Sequence, residues 1–235
     1  MVQPWWRLGW AESGAVAGLL LLPALYLSTV HLHRADTAPA GYVATVGYHA
    51  GSTVIAAVAG LLLTVLVALH LAGLRRWASQ WRPATADSCT AVGAVGVLGL
   101  GIGFLAAIVA AYGARHGWGV DPVKAMGAVA ENAAAVLLAA LAAPAYLVMR
   151  LGLDEHMLPV RLGYAAAVAF GALLLIGVLQ PGLATWPALL WLVVSGVALA
   201  MRREPADEAP ADLATDVPTD APGGPADAPV AAPEG

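Results

Sequence analysis

The sequence predicts an all-α membrane protein, in which a bundle of six transmembrane helices precedes a disordered acidic C-terminal tail. The 235 residues are 60% hydrophobic and only 11% charged, whereas soluble domains carry about 25% charged residues. Six long apolar stretches lie between Ser13 and Met201, and Glu131 is the single acidic or basic residue well inside any of them. A run of about 20 apolar residues matches the ~30 Å hydrocarbon layer of a bilayer. Such continuous spans are helices, because lipid offers the backbone no hydrogen-bond partner.

The predicted helices occupy residues 13–32, 51–74, 89–112, 125–149, 160–179 and 184–201. The first and fourth contain Pro23 and Pro144, each of which removes a backbone hydrogen bond and is expected to kink its helix. The third is rich in glycine, and the fifth begins directly after Pro159. A single transmembrane domain, residues 1–203, is therefore expected.

The distribution of arginine and lysine predicts the orientation. With both termini on one side, that side holds eight basic residues: Arg7, Arg75, Arg76, Arg82, Arg150, Arg161, Arg202 and Arg203. The other side holds Arg34, Arg115 and Lys124. Both termini are therefore predicted to lie in the cytoplasm, and the chain is predicted to lie in the inner (cytoplasmic) membrane.

The first apolar stretch has an alternative interpretation as a secretory signal peptide, with Arg7 before it and Ala38-Pro39-Ala40 as the cleavage site. That site lies some distance beyond the apolar core, and Pro39 disfavours cleavage. We therefore expect an uncleaved first helix.

Residues 204–235 form a tail of Pro, Ala, Asp and Glu with eight acidic residues and no basic one. Such a segment buries too little apolar surface to offset its ordering entropy, so we expect disorder. The tail is either a solvated segment without a specific role or an acidic site for a basic partner. The charge pattern argues against nucleic acid as a partner. Cys89 is the one cysteine, which rules out a disulfide within the chain.

Glu131 is the strongest candidate for a functional residue. It lies about two turns into the fourth predicted helix, where an ionisable group is costly and faces the bundle interior. Asn132 follows it, and His49 precedes the second helix. Glu131 is either a protonated residue that packs by hydrogen bonding or part of an ion or proton path.

A metal site is conceivable on the outer side of the membrane, opposite the cytoplasm, where His31, His33 and His49 lie near helix ends. Their spacing is not diagnostic, since His31 and His33 do not share a face of a regular helix. We therefore expect no metal and no cofactor. His70, inside the second helix, is expected to extend toward the headgroups or to bond a carbonyl.

Gly99 and Gly103 in the third predicted helix lie four residues apart, on one face. Such a pair lets another helix approach closely. The neighbouring helix belongs either to the same bundle or to a second copy in a homo-oligomer.

The stretch MRLGLDEHMLPVRLGYAAAVAFGALLLIG, followed by WLVVSGVALAMRR, resembles the closing half of a widespread uncharacterised bacterial family of six-helix membrane proteins. The fifth helix of that family opens with a Leu-Pro-Arg-Trp-Leu-Gly-like phrase, and residues 158–163 are similar, with Arg161 shifted by one position and no tryptophan. The likeness in layout covers Leu8 to Arg203. It implies topology and a membrane location, and no chemistry.

The sequence contains no Gly-x-Ser-x-Gly, His-Glu-x-x-His or phosphate-binding loop motif. We therefore expect a non-enzymatic protein of the bilayer with a structural, sensing or partner-binding role. A small transporter or proton-coupled carrier that uses Glu131 is the alternative. A membrane metalloenzyme with the histidines as ligands is the third hypothesis.

Overall fold

The computed structural model describes residues 9–32, 39–179 and 185–201. These residues form eight α-helices and no strand, so the all-α prediction is confirmed for them. The helices are α1 (Trp10–Thr29), α2 (Pro39–Tyr48), α3 (Ala50–Ala78), α4 (Pro83–Arg115), α5 (Val120–Ala140), α6 (Ala142–Leu153), α7 (Val160–Leu179) and α8 (Thr185–Ala200). They belong to one compact unit, Met1–Arg202. The predicted tail, 204–235, lies outside the described residues.

Three of these helices, α1, α3 and α4, are long and apolar enough to cross a membrane, rather than the six predicted. At 1.5 Å per residue, the 29 residues of α3 span about 44 Å and the 33 residues of α4 about 50 Å. The described parts of α6, α7 and α8 are apolar but shorter. Helix α5 carries Asp121, Lys124 and Glu131, which lower its hydropathy.

The helix predicted over residues 125–149 is instead two helices, α5 and α6, separated at Leu141. Pro144 accounts for the break. It has no backbone N–H, and its ring excludes the carbonyl four residues earlier, which belongs to Ala140 at the end of α5. The kink expected at this proline is therefore a helix boundary.

Helix α2 was not predicted. Its first residue is Pro39, whose fixed φ suits the start of a helix. Tyr42 and Val46 are buried, as is Ala50 at the start of α3, and this four-residue spacing places one face of α2 against the bundle. The apolar face is too narrow for a membrane span, so a search for long apolar runs missed it.

The other boundaries agree with the prediction to within a few residues, except at the ends of α3 and α4. Helix α3 continues through Arg75 and Arg76, and α4 begins at Pro83 instead of residue 89. Polar side chains are compatible with helix outside the apolar span, and proline is tolerated in the first turn. The long helices therefore extend beyond the apolar segments that predicted them.

Alanine and glycine are frequent at the contacts between helices, together with buried leucines, and many other large apolar residues face outward. Helix α1 packs between α3 and α8, α4 packs between α3 and α5, and α6 packs on α7. Gly60 on α3 lies directly against the Phe104 ring on α4, where a Cβ atom would collide with it. Exposed large apolar side chains include Leu19, Ile55, Leu62, Leu98, Val168 and Leu190. Close helix approach through small residues is typical of proteins whose solvent is lipid.

The bundle has two ends that carry different polar residues. The arginine end carries Arg75, Arg76, Arg82, Arg150 and Arg161. The histidine end carries His31, His49 and His116. The candidate sites lie at these two ends and in one buried polar cluster between α1, α3 and α8.

Candidate functional site

The structure separates the two neighbouring residues of the predicted intramembrane site. Glu131 is half-buried on α5, whereas Asn132 is exposed. The Asn132 side-chain amide donates to the Ala128 carbonyl at 2.8 Å, one turn earlier in the same helix. The Asn132 amide therefore forms a hydrogen bond within α5 and does not connect Glu131 to another helix.

Tyr42 of α2 is a residue near Glu131 that the sequence analysis missed. Its hydroxyl donates to the Leu32 carbonyl at 3.1 Å, and its side chain is buried. Lys124 Nζ lies 5.4 Å from the centre of the Tyr42 ring, within the range of a cation–π interaction. Burial, and secondarily the Glu131 carboxylate, raise the pKa of Tyr42 above its usual value of 10.0. Lys124 and Tyr42 thus lie together where α2 meets α5, and the Glu131 carboxylate influences Tyr42 electrostatically; we call these three residues the tyrosine cluster.

Two of the histidines proposed as metal ligands lie together at the histidine end. The His31 and His49 rings stack with their centres 3.7 Å apart and their planes within 3° of parallel. Rings that stack face to face direct their nitrogens along parallel planes and do not converge on one ion. Among the described residues, no three His, Cys, Asp or Glu side chains form a group able to hold a metal. His33 lies outside the described residues.

His116, at the end of α4, is not part of that stack. Its ring stacks on Tyr112 with centres 3.9 Å apart, and its Nδ1 lies 2.8 Å from the Tyr112 carbonyl oxygen. This contact lies within one turn of the same helix. The Tyr112 carbonyl also accepts the backbone N–H of His116 at 3.1 Å, so His116 closes the last turn of α4 through both its backbone and its ring.

The most buried histidine among the described residues is His70 on α3, which is 2% exposed. Its Nδ1 is 3.0 Å from the Trp10 carbonyl oxygen on α1, so this nitrogen carries the proton. Its Nε2 is then an acceptor and lies 3.5 Å from Ser195 Oγ on α8. The carbonyl contact is one of the two roles expected for His70. Three helices are joined through one imidazole, in what we call the histidine–serine cluster.

The order of carbonyl, imidazole and hydroxyl in this cluster is also the order found around an activated serine nucleophile. Two facts argue for a packing role instead. Ser195 is 1% exposed, so no substrate reaches its hydroxyl, and that hydroxyl also lies 3.3 Å from the Leu192 carbonyl of its own helix. Gly14 packs directly on the imidazole and leaves no room for a ligand. The cluster stabilises the contact between α1, α3 and α8.

The glycine pair predicted to pack is buried: both Gly99 and Gly103 lie on the covered side of α4. Phe104, next to Gly103, fills the space over Gly60 of α3. Between α3 and α4, close approach is allowed at Gly60, which lies against Phe104, and at Gly93, which lies against Leu71.

Ion pairs connect the segments at the arginine end. Arg82, between α3 and α4, binds one carboxylate oxygen of Glu155, after α6, through both Nε (2.8 Å) and a terminal nitrogen. Arg75 Nε binds Asp87 at 2.7 Å across the same connection. The Arg82–Glu155 pair joins segments 73 residues apart in the sequence and so fixes two connections against each other.

No family model matches the sequence, and neither a curated protein nor a solved structure matches it significantly. The likeness of residues 149–203 to a six-helix bacterial family therefore stays a prediction.

Proposed function

We propose that the chain is a non-enzymatic, multi-pass integral membrane protein of the bacterial inner membrane, with a binding or sensing role. The observation that carries this proposal is the apolar exterior of the helices. Many leucine, valine and isoleucine side chains are exposed on the outside, while alanine, glycine and further leucines fill the contacts between helices. Water would disfavour that exterior, whereas lipid solvates it.

Six membrane-crossing segments are part of the proposal. Helices α1, α3 and α4 supply three, α5 and α6 together supply a fourth that is interrupted at Leu141, and α7 and α8 supply the last two. An interrupted helix is tolerated at membrane depth where protein surrounds the break, and Leu141 is fully buried. The arginine end faces the cytoplasm in this arrangement.

Labelling of single cysteines tests the arrangement. The native Cys89 is buried, and Cys89→Ser provides a background for Gln80→Cys at the arginine end and Gly119→Cys at the opposite end, both at exposed positions. With a membrane-impermeant maleimide we expect Gly119→Cys to react in intact cells and Gln80→Cys only after permeabilisation. The reverse pattern refutes the orientation, and recovery of folded protein in buffer without detergent refutes the membrane location.

The non-enzymatic part of the proposal is supported by the histidine–serine cluster. Its serine and histidine are placed like a nucleophile and a base, and both are closed to substrate. A fluorophosphonate probe, which labels activated serines, should therefore leave Ser195 unmodified in the folded protein. Labelling that Ser195→Ala abolishes contradicts this part of the proposal.

A proton-coupled carrier is the second candidate, because the tyrosine cluster sets an ammonium group against a phenol whose pKa a carboxylate also raises. Glu131 is half-buried there, and ionisable groups at such depth often belong to proton paths. The test compares proton flux in proteoliposomes for Glu131→Gln with that for Asp121→Asn. Asp121 is an exposed carboxylate in the first turn of the same helix. Flux abolished only by Glu131→Gln supports the carrier, and flux that is absent or unaffected excludes it.

A further inference from the structure

An open groove runs along the outside of α3 and α4 from the arginine end toward the middle of both helices. It consists of two adjoining cavities of about 780 Å³ and about 380 Å³. Both are lined by Ala68, Val97 and Leu98, so they form one continuous depression, which we call the α3/α4 groove. The cavity at the arginine end has polar and charged residues among apolar ones in its wall, whereas the other is almost entirely apolar. The groove thus changes from polar to apolar along its length.

The charges at the polar end leave one arginine available. Arg75 is held by Asp87 at 2.7 Å, which neutralises both. Arg76 also lines the cavity and is exposed, and no ion pair that involves it is found within the described residues. The polar end therefore has a net charge of +1.

Two hydroxyl groups beside these charges are hydrogen-bond acceptors. Ser79 Oγ donates its hydrogen to the Arg76 carbonyl at 2.9 Å, and Thr90 Oγ1 donates to the Ala86 carbonyl at 2.7 Å. Both oxygens keep lone pairs directed at other donors. A ligand that combines an anion with hydroxyl groups matches this set of one cation and two acceptors.

The length of the groove is suited to a fatty-acyl chain. From Arg75 to Leu61, which lines its far end, is 14 residues of α3, or about 21 Å at 1.5 Å per residue. One leaflet contributes about 15 Å of the ~30 Å hydrocarbon layer. The apolar part is lined by Leu61, Val65, Ile102 and Leu105. A ligand whose headgroup lies at Arg76 can therefore bury an acyl chain along the groove.

The surroundings place the polar end at the headgroup level. Trp77 and Trp81 pack edge to face there, with ring centres 4.8 Å apart. Tryptophan prefers the membrane–water interface, and arginines near the cytoplasmic surface attract anionic lipids. A helix from a second copy is a poorer occupant, since an apolar helix would cover Arg76 and leave its charge unpaired.

We propose that the α3/α4 groove binds an anionic glycerophospholipid of the leaflet at the arginine end, with its phosphate at Arg76 and an acyl chain between Ala68 and Leu98. This site rests on the membrane location proposed above. It makes the bilayer a specific ligand of the chain rather than only its solvent.

Native mass spectrometry of the full chain in a neutral detergent tests the site, with phosphatidylglycerol and phosphatidylcholine as probes. Phosphatidylglycerol supplies both the charge and the hydroxyl groups. We expect it to bind at one per chain and more tightly than phosphatidylcholine. Arg76→Gln should weaken its binding about five-fold, the effect of one arginine at a membrane surface. The matched control is Arg161→Gln, an exposed arginine at the same end but outside the groove, which should change binding less than two-fold.

A second pair of variants tests the acyl part of the groove. Ala94→Trp fills the groove wall, whereas Val95→Trp adds the same ring at the next exposed position, which does not line the groove. Only Ala94→Trp should abolish bound lipid, and unchanged melting temperatures show that both variants are folded. Equal binding of the two lipids, or equal effects of Arg76→Gln and Arg161→Gln, overturns the proposal. So does a dimer that Ala94→Trp dissociates without a change in bound lipid.

The cysteine-labelling experiment separates this inference from the proposed function. A chain that crosses the membrane as proposed but binds the two lipids equally loses only the lipid site. A chain that fails the labelling test loses both.

Discussion

Breaking the Arg82–Glu155 ion pair should destabilise the bundle by an amount that a double-mutant cycle can isolate. The pair connects the α3–α4 segment to the segment after α6, and its side chains are 30% and 33% exposed. Arg82→Gln, Glu155→Gln and the double variant each keep a polar side chain of similar size. The coupling between the two substitutions then reports the interaction itself.

The structure sets the expected magnitude. At the Nε–Oε1 distance of 2.8 Å, the Coulomb attraction is about 6 kcal/mol at an effective dielectric constant of about 20 and about 1.5 kcal/mol in bulk water. Ordering one arginine and one glutamate side chain opposes this by about 3–4 kcal/mol. With two thirds of each side chain covered, the net coupling should be about 1–2 kcal/mol.

The assay is the free energy of unfolding in mixed micelles with increasing denaturing detergent. The control cycle uses Arg75→Gln and Asp87→Asn, a pair with a similar distance whose side chains are both 56% exposed. Exposed pairs contribute little, so its coupling should be below about 0.5 kcal/mol. Equal couplings for the two pairs, or a coupling near zero for Arg82–Glu155, would refute the reasoning that burial determines the strength of these contacts.

Three further predictions use the same unfolding assay. Gly60→Leu should lower the free energy of unfolding by about 1–3 kcal/mol, because the new side chain collides with the Phe104 ring. Gly101→Ala should be neutral or slightly stabilising, because the added methyl group lies in open space. Equal effects of the two substitutions would contradict the packing described. His70→Leu should cost about 1–3 kcal/mol, since it removes the two hydrogen bonds that join α3 to Trp10 on α1 and to Ser195 on α8. A variant as stable as the wild type would argue against the cluster. The raised pKa of Tyr42 contributes stability that is complete below pH 10.0 and is lost as the pH rises through the folded-state pKa. Above pH 10.0 the wild type should therefore lose more stability than Tyr42→Phe. Parallel stability profiles of the two proteins would contradict the burial of this phenol.

The long apolar helices could be predicted from the sequence because their signal is local. A continuous run of apolar residues defines α7, whose bounds match the predicted 160–179. The same criterion failed where local chemistry opposed it. Pro144 divides the fourth predicted helix, and the narrow buried face of α2, centred on Tyr42 and Val46, contains no long apolar run.

The candidate sites were predictable only in part, since their geometry depends on contacts between distant segments. Glu131 is conspicuous in the sequence as a charge in an apolar run, but its neighbour Tyr42 belongs to the helix that was not predicted. His70 contacts residues 60 and 125 positions away, Trp10 and Ser195, and no local pattern relates the three. The spacing of the buried residues Tyr42, Val46 and Ala50 was the one available signal for α2.

In the proposed membrane location, the lengths of α3 and α4 make the bilayer thickness important to this protein. Both are longer than the ~30 Å hydrocarbon layer, by about 14 Å and about 20 Å, and only residues 79–82 separate them. A helix of that length tilts more from the bilayer normal in a thin bilayer and less in a thick one. The connection around Gln80 therefore lies farther from the headgroups or nearer to them as lipid composition varies. A molecule bound to this connection moves by the same distance.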